Sequence, residues 1–520
     1  MEAGVTLRTA DVTIKRAWSK IPAPAKTAFF TAFAVGILTH AFMLTNKIPN
    51  HDDLMPTVND PHYFASGRWF LWFPATISGA FSVPWINGVL AIFYLALAAA
   101  LVVSLIRIKK SLYAALTAGV MAATPAFAAV LLYMYLADAY IFALLLAVFA
   151  AYTAVRFRYG FIAAVVPLAL SLGIYQSFFG VAALLFIIVL IKEILANELP
   201  WQKTLRRGLR FFATLAADMA AYVVVARLTA PPDGLNSYQN IDQIGSIDIS
   251  MLPTYLFNAY KGVPGFLFFN TRHFHYPFMG VIFALFFLLC GISLLLFCRQ
   301  KKLYSDRPRL ALLIVLLLLF PLTANLNHLT GATYIHDLMI YGLLFVPVLG
   351  LVLVDFFSGE ISRGKNLFAG CVRLSAWVVT ATLLLTVFNY WVKSNQAYFR
   401  LFLGYEQTYA QSLLLVSRIQ GLEGYTDEAG VVLAGGMLIR QSIPELSDVT
   451  LTGTSDIGLF GAHSYANFLS WYLGFGQEVL RTEIDQIDDA DIRTIVEEMP
   501  IYWEPDSLKM IDSDVYVRFY

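Results

Sequence analysis

The 520 residues are 58% hydrophobic and only 14% charged, with a mean hydropathy of +0.66, where a soluble domain carries about 25% charged residues. That composition excludes a disordered chain and argues against a soluble multidomain enzyme. The net charge of +1 points to no strongly acidic or basic partner until the charges are placed along the chain.

The first apolar run, residues 27–46, follows Arg8, Lys15, Arg16, Lys20 and Lys26. It is too long for a signal-peptide core and no small-residue cleavage site follows, which predicts a retained first helix. Further apolar runs lie near 86–106, 112–132, 137–155, 160–176, 177–195, 210–229, 277–298, 310–327, 337–356 and 370–392. Eleven spans of about 20 residues use roughly 220 positions and leave about 300 outside the bilayer core, more than connecting loops need. The cysteines Cys290, Cys298 and Cys371 fall in or beside apolar runs, so neither a disulfide scaffold nor a cysteine zinc site is expected.

Lys and Arg concentrate in cytoplasmic loops of membrane proteins, which tests the count. Alternate segments carry 23 of them: before the first span, at Arg107/Lys109/Lys110, at Arg156/Arg158, from Lys192 to Arg210, from Arg299 to Arg309, and at Arg363/Lys365/Arg373. The opposite segments hold Lys47, Arg68, Lys261 and Arg272, with Arg227 at a helix end. The N-terminus is therefore expected in the cytoplasm and the tail outside. The weakest boundary is 160–195, broken only by Tyr175-Gln176-Ser177. A single span there would place Lys192 through Arg210 outside, against the charge bias.

Two domains are predicted: a transmembrane part, 1–392, with outer loops 47–85 and 230–276, and an extracytoplasmic tail, 393–520. The tail holds 19 of the 35 acidic residues and 8 of the 36 basic ones, a net charge of −11. It opens with Tyr398, Phe402, Tyr405, Tyr409, Leu413, Val416 and Ile419 at helical spacing, and continues with a β-like run at 430–434 and a hairpin pattern from Leu508 to Phe519 around Ser513-Asp514. A small α/β domain is expected. Asp488-Asp489-Ala490-Asp491 marks a helix start.

The first outer loop carries Asn50-His51-Asp52-Asp53-Leu54, then Gly67-Arg68-Trp69, then an aromatic stretch from Phe70 predicted to lie at the membrane interface. Adjacent carboxylates near an interface repel each other, and low polarity raises a carboxyl pKa, so one of Asp52 and Asp53 can work as a general base. The structural alternative is an Asx-turn in which one of them caps a helix. A second cluster, Asn270-Thr271-Arg272-His273-Phe274-His275-Tyr276, stands at the mouth of the eighth span; Arg272 there is either an anion ligand or an interfacial anchor. Asp138, Gln176, Asn325, Asn327, His328, His336 and Asp337 fall at the same ends of their spans, with helix capping as the plain alternative for Asp138 and Asp337. His273 and His275 could join the acidic pair around a metal, but hard oxygen ligands are not otherwise clustered, so no metal site is assigned. Walker-type, His-Glu-x-x-His and Gly-x-Ser-x-Gly motifs are lacking from the sequence, and an acidic outer tail is no nucleic-acid surface.

A multi-span chain with an acidic pair opening its first outer loop, followed by an interfacial helix, resembles the GT-C superfamily of polyprenyl-phosphate-sugar glycosyltransferases. The His51-Asp52-Asp53 loop with Gly67-Arg68-Trp69, the Tyr175-Gln176-Ser177-Phe178 break and the Asn395 to Ile419 helix are similar to the bacterial GtrII-type glucosyltransferases. The resemblance implies a polytopic α-helical, GT-C-like fold. It also implies transfer of a hexose, glucose above all, from undecaprenyl phosphate to a hydroxyl of an envelope glycan such as O-antigen, at the outer face of the bacterial plasma membrane and with inversion. Asp52 and Asp53 would share general-base and orienting roles, Arg68, Arg272 and Lys261 would hold the carrier phosphate, and His51, Asp138, Gln176, His336, Asp337 and His273 would face sugar or acceptor. A divalent cation, magnesium or manganese, is an option but not a requirement. The aromatic strip Tyr465, Phe468, Trp471 and Tyr472 would contact the acceptor glycan. The rival classes are a lipid-carrier flippase or transporter, for which the expected internal repeats are lacking, and an envelope-glycan polymerase or ligase.

Overall fold

The computed structural model describes residues 9–519 apart from 55–60, 80, 238–248, 331–333, 362–365, 437–445, 447–448, 450 and 454–463. The charges Arg8, Arg363 and Lys365 used in counting spans lie outside the described residues. Before the first span runs α1 (Ala10–Lys20), whose side chains are all exposed. The membrane part follows as α2 (Ala23–Thr45), the short α3 (Pro61–Ala65) and α4 (Trp72–Ile77), then α5 (Pro84–Leu105), α6 (Ser111–Ala123), α7 (Pro125–Leu131), α8 (Met134–Arg156), α9 (Gly160–Ala163), α10 (Val165–Leu172), α11 (Phe179–Ala196) and α12 (Trp201–Leu228). It continues through α13 (Leu252–Leu267), α14 (Met279–Gln300), α15 (Arg307–Ala324), α16 (Phe345–Glu360) and α17 (Leu367–Gln420). Among the described residues nine helices are long and apolar enough to cross a membrane; α6 and α7, bent by 43° at Thr124-Pro125, form a tenth segment, and α9/α10 a short eleventh. Each predicted run thus has a helical counterpart, and the chain is a multi-pass membrane protein. Helices are the form in which an apolar segment satisfies every backbone donor and acceptor within itself, which lipid demands.

Local sequence sets the helix ends. Pro84, Pro125 and Pro308 stand in first turns, where no amide hydrogen is needed. The Asp306 carboxylate caps α15 at the amide of Arg309, and the Asn366 side chain caps α17 at Ala369.

Polar contacts sort the connections into two sets, one at each end of the bundle. At one end Gln176 meets Ser66 of the first long loop and Tyr222 near the end of α12. At the other, Arg207 reaches Val155 and Glu193, the amide of Lys109 bonds Asp355, and Arg309 reaches Leu199. Residues 160–172 and 176–196 are therefore separate, oppositely directed segments, as the charge bias requires.

The tail is built on α17, a single helix of 54 residues, about 80 Å long at 1.5 Å per residue. The predicted division at 392/393 falls inside it, so the last span and the first helix of the tail are one continuous rod. Beyond it come β1 (Val431–Ala434), α18 (Tyr465–Leu473), β2 (Val479–Thr482), α19 (Ala490–Glu498), β3 (Leu508–Ile511) and β4 (Asp514–Arg518). The sheet order is β2-β1-β4-β3, parallel except for the predicted β3/β4 hairpin. Asp489 caps α19 through the amides of Asp491 and Ile492, as the acidic run predicts. One face of the sheet packs Val431, Leu433, Val515 and Val517 on Leu415 and Ile419 of α17 and on Tyr465 and Phe468 of α18. Leu54 of the first loop enters the same cluster, so the tail sits directly on that loop.

Candidate functional site

The loop after α2 is held by an Asx-turn. The Asn50 side-chain oxygen accepts from the amides of Asp52 at 2.8 Å and Asp53 at 3.1 Å. The two carboxylates then part company. Asp53 is buried and accepts from the amides of Asn50 at 3.3 Å and Tyr135 at 3.2 Å, the latter capping the start of α8 from a distant loop. Burial pushes its carboxyl above the usual range, with the Lys47 charge and these amides opposing. Asp52 keeps its side chain 32% exposed, 3.7 Å from Nε2 of His51. The carbonyl of His51 accepts from Ser464 and that of Leu54 from Asn467 at 2.9 Å, so the tail fixes the loop on both sides of the pair.

Gly67-Arg68-Trp69 docks on the break at 173–176. The amide of Phe70 bonds the Gly173 carbonyl at 2.8 Å, and a Cβ on Gly173 would stand 2.6 Å from the Trp69 ring. Gln176 donates to the Ser66 carbonyl at 3.0 Å and to the Tyr222 hydroxyl at 2.8 Å, which makes it a brace for this loop. Arg68 points into a nest of tyrosines. Its Nη1 donates to Tyr140 at 3.0 Å, its guanidinium lies over the Tyr140 and Tyr175 rings at 5.8 and 5.6 Å, and Tyr63 and Tyr135 bond each other at 2.9 Å beside it. The Nε has no hydrogen-bond partner among the described residues. A fixed fork that is permanently charged and only partly engaged suits a phosphate or another anion.

Arg272 reaches the same region from the other long loop. Asn270 braces its turn through both backbone groups of His275, and Asn389 of α17 bonds the Tyr276 amide and the Phe274 carbonyl. Arg272 donates to Asp337 at 2.7 Å; the second oxygen of Asp337 accepts from the amide and hydroxyl of Thr452 at 2.7 and 3.0 Å. Asp337 is thus a clamp between loop, span and tail. His336, next to it, lies within Coulombic reach of Asp337, Arg68, Arg272 and Asp52. Burial holds its imidazole below the ordinary 6.5, in the neutral form. Asp52, Arg68, Arg272 and His336 consequently surround one region at the end of the bundle that carries the tail.

Other expected residues stand apart. Asp138 does not cap α8, which begins a turn earlier; it is buried and accepts from Asn87 at 3.2 Å. Two residues along a helix turn the side chain by about 200°, so Asp138 faces away from the Tyr140 that holds Arg68. Lys261 is exposed on α13, over the Phe257 ring at 5.8 Å. His273 is exposed with a φ of 56°, whereas His275 is buried among Phe266, Phe283 and Tyr390, so the two imidazoles do not converge. The expected aromatic strip is not a surface: Tyr465 and Phe468 lie in the core of the tail and Tyr472 packs against it, leaving only Trp471 exposed. Reading the sequence missed the tyrosines 63, 135, 140 and 175, which interfacial aromatic enrichment disguises, and Thr452, which nothing in its surroundings marks.

A family model described as Glucosyl transferase GtrII matches residues 41–347, more than half of the chain and the whole of this constellation except the tail. The chain belongs to the GtrII family. It is a glycosyltransferase. No curated protein and no solved structure gives a match. The site end brings together a partly exposed carboxylate, two guanidinium groups held by independent braces, and an imidazole within Coulombic reach of all three.

Proposed function

We propose that this GtrII protein transfers glucose from undecaprenyl phosphate to a hydroxyl of a cell-envelope glycan, at the extracytoplasmic face of the plasma membrane, by direct displacement with inversion. The observation that carries the reading is the separation of the acidic pair, Asp53 buried and committed to two amides, Asp52 partly exposed and, like Arg68 and Arg272, within Coulombic reach of His336. An acceptor alcohol is a poor nucleophile until its proton is removed as the new glycosidic bond forms. Asp52 is the base, with His51 beside it and Asp53 holding the loop. The leaving phosphate regains full negative charge as its bond to the sugar breaks, and the guanidinium groups of Arg68 and Arg272 offset that charge where water is scarce. His336 and Gln176 line or brace the sugar site. The polarity of charge supports the sidedness: the site end holds few cations and the opposite end most of them.

The test is transfer from synthetic undecaprenyl-phosphate glucose by purified, reconstituted protein. Asp52→Asn is expected to lower kcat by about 10²–10⁴-fold, the usual weight of a general base, with thermal stability unchanged. Full activity in Asp52→Asn overturns the assignment of the base, and transfer with retained anomeric configuration overturns the single displacement.

A further inference from the structure

The end of the bundle opposite the site contains a cavity of about 500 Å³ between the C-terminus of α8, α9 and the first turns of α12. Its wall carries Arg156, Arg158, Lys203, Arg206, Arg207 and Arg210, and no carboxylate. Arg207 is paired with Glu193 and bonds the Val155 carbonyl. The other five have no ion pair among the described residues. Four of the arginines rest on aromatic faces, Arg156 on Tyr152 at 5.7 Å, Arg158 on Tyr159 at 5.2 Å, Arg207 on Phe211 at 5.5 Å and Arg210 on Phe161 at 5.6 Å, which orders the guanidinium groups; those of Arg156, Arg158 and Arg210 keep N–H edges available.

The walls of the cavity differ in length, which sets it at headgroup level when the bundle spans a bilayer. The α9/α10 segment, 160–172, is about 20 Å long, short of the roughly 30 Å hydrocarbon core, whereas α12 at about 42 Å overshoots it. The first turns of α12 therefore project beside a shortened neighbour, at headgroup level. Phe157, Ile162, Leu209 and Phe212 are exposed around the basic cluster, an apolar border that a soluble anion has no use for.

We propose that this cavity binds the headgroup of an anionic membrane lipid of the leaflet opposite the catalytic site, with two phosphates fitting the five uncompensated cations better than one. The phosphate oxygens meet the guanidinium edges, and the acyl chains lie on Leu209 and Phe212. Basic clefts between transmembrane helices are suited to such heads. The proposal rests on the chain spanning a membrane and is independent of the residues assigned to glucosyl transfer.

Full-length protein in phosphatidylcholine nanodiscs, titrated with cardiolipin, phosphatidylglycerol or inorganic pyrophosphate and read by thermal shift and native mass spectrometry, tests it. Cardiolipin is expected to raise the melting temperature and to remain bound, phosphatidylglycerol to do so at higher concentration, and pyrophosphate to have no effect at matched phosphate. Replacing Arg156, Arg206 and Arg210 together by Gln should weaken cardiolipin at least ten-fold. Because loss of charge can disturb insertion, Arg206→Lys with Arg210→Lys serves as a second variant that keeps the charge but loses the fork; a several-fold weakening is expected. Unchanged cardiolipin binding in both variants overturns the site, and an equal response to pyrophosphate overturns the lipid.

Discussion

The two ends of the helical bundle use charge in opposite ways. At the site end, the cations Arg68 and Arg272 are each held in place, one by the Tyr140 hydroxyl and two tyrosine ring faces, the other by a carboxylate that the tail also grips. At the opposite end, cations are numerous, and most of those around the cavity have no carboxylate partner within ion-pair distance among the described residues. The difference teaches that charge density marks the side of the membrane, whereas charge that is fixed at a defined position marks the chemistry. A few guanidinium groups held at low local polarity can act strongly on a developing anion.

That contrast breaks first at Arg68. Arg68→Ala is expected to lower kcat by about 10²–10³-fold, the scale of a lost electrostatic stabiliser, and Arg68→Lys to restore only part of it, since an ammonium cannot reproduce the fork between Tyr140 and Tyr175. Steady-state kinetics with carrier-linked glucose measures both; full rescue by Lys would mean that charge alone suffices. Arg299→Ala at the opposite end should leave kcat unchanged in the same assay.

Asp53→Ala comes next. It leaves the buried amides of Asn50 and Tyr135 without acceptors, at about 1–3 kcal/mol each, so denaturation of purified protein should show a clear loss of stability while the remaining folded molecules keep measurable turnover. A loss of kcat as deep as that of Asp52→Asn, with stability intact, would instead make Asp53 the base. Asp337→Asn is smaller: the amide keeps one acceptor oxygen and presents N–H donors in place of the other, so the bonds from either Arg272 or Thr452 are lost, a change of about 1.5–3 kcal/mol. A double-mutant cycle with Arg272→Met should show coupling, because the two groups share one ion pair.

How much of this was legible follows from range. The spans, the parity of the loops and the β3/β4 hairpin rest on local hydropathy, charge and turn chemistry, so the sequence carries them directly. The motifs around Asp52 and Arg68 were also visible, but the different duties of Asp52 and Asp53 were not: Asp53 is committed by the amide of Tyr135, 82 positions away. Asp337 looked like a helix cap or a sugar ligand because its partners, Arg272 and Thr452, come from two other parts of the chain. The aromatic strip of α18 misled for the complementary reason. Its spacing is that of a buried helix face, and the sheet that buries it includes β2, which no alternation announces.

His336 gives the smallest test of the comparison. Its folded pKa lies below the ordinary 6.5, with burial as the main cause and the nearby arginines adding to it against Asp337 and Asp52. In the window below 6.5 the unfolded chain binds a proton that the folded chain excludes, so this residue makes stability rise with pH up to about 6.5 and adds no slope above it. Asp53 acts with the opposite sign above the ordinary carboxylate range, because burial raises its folded carboxyl. Subtracting denaturation curves of His336→Gln from those of the unaltered protein between about pH 5 and 8 isolates the histidine, and the difference is bounded by one proton, about 1.4 kcal/mol per pH unit. The unaltered protein should lose more stability than the variant as the medium is acidified below 6.5. Superimposable curves would place His336 in solvent rather than among the fixed charges of the site end.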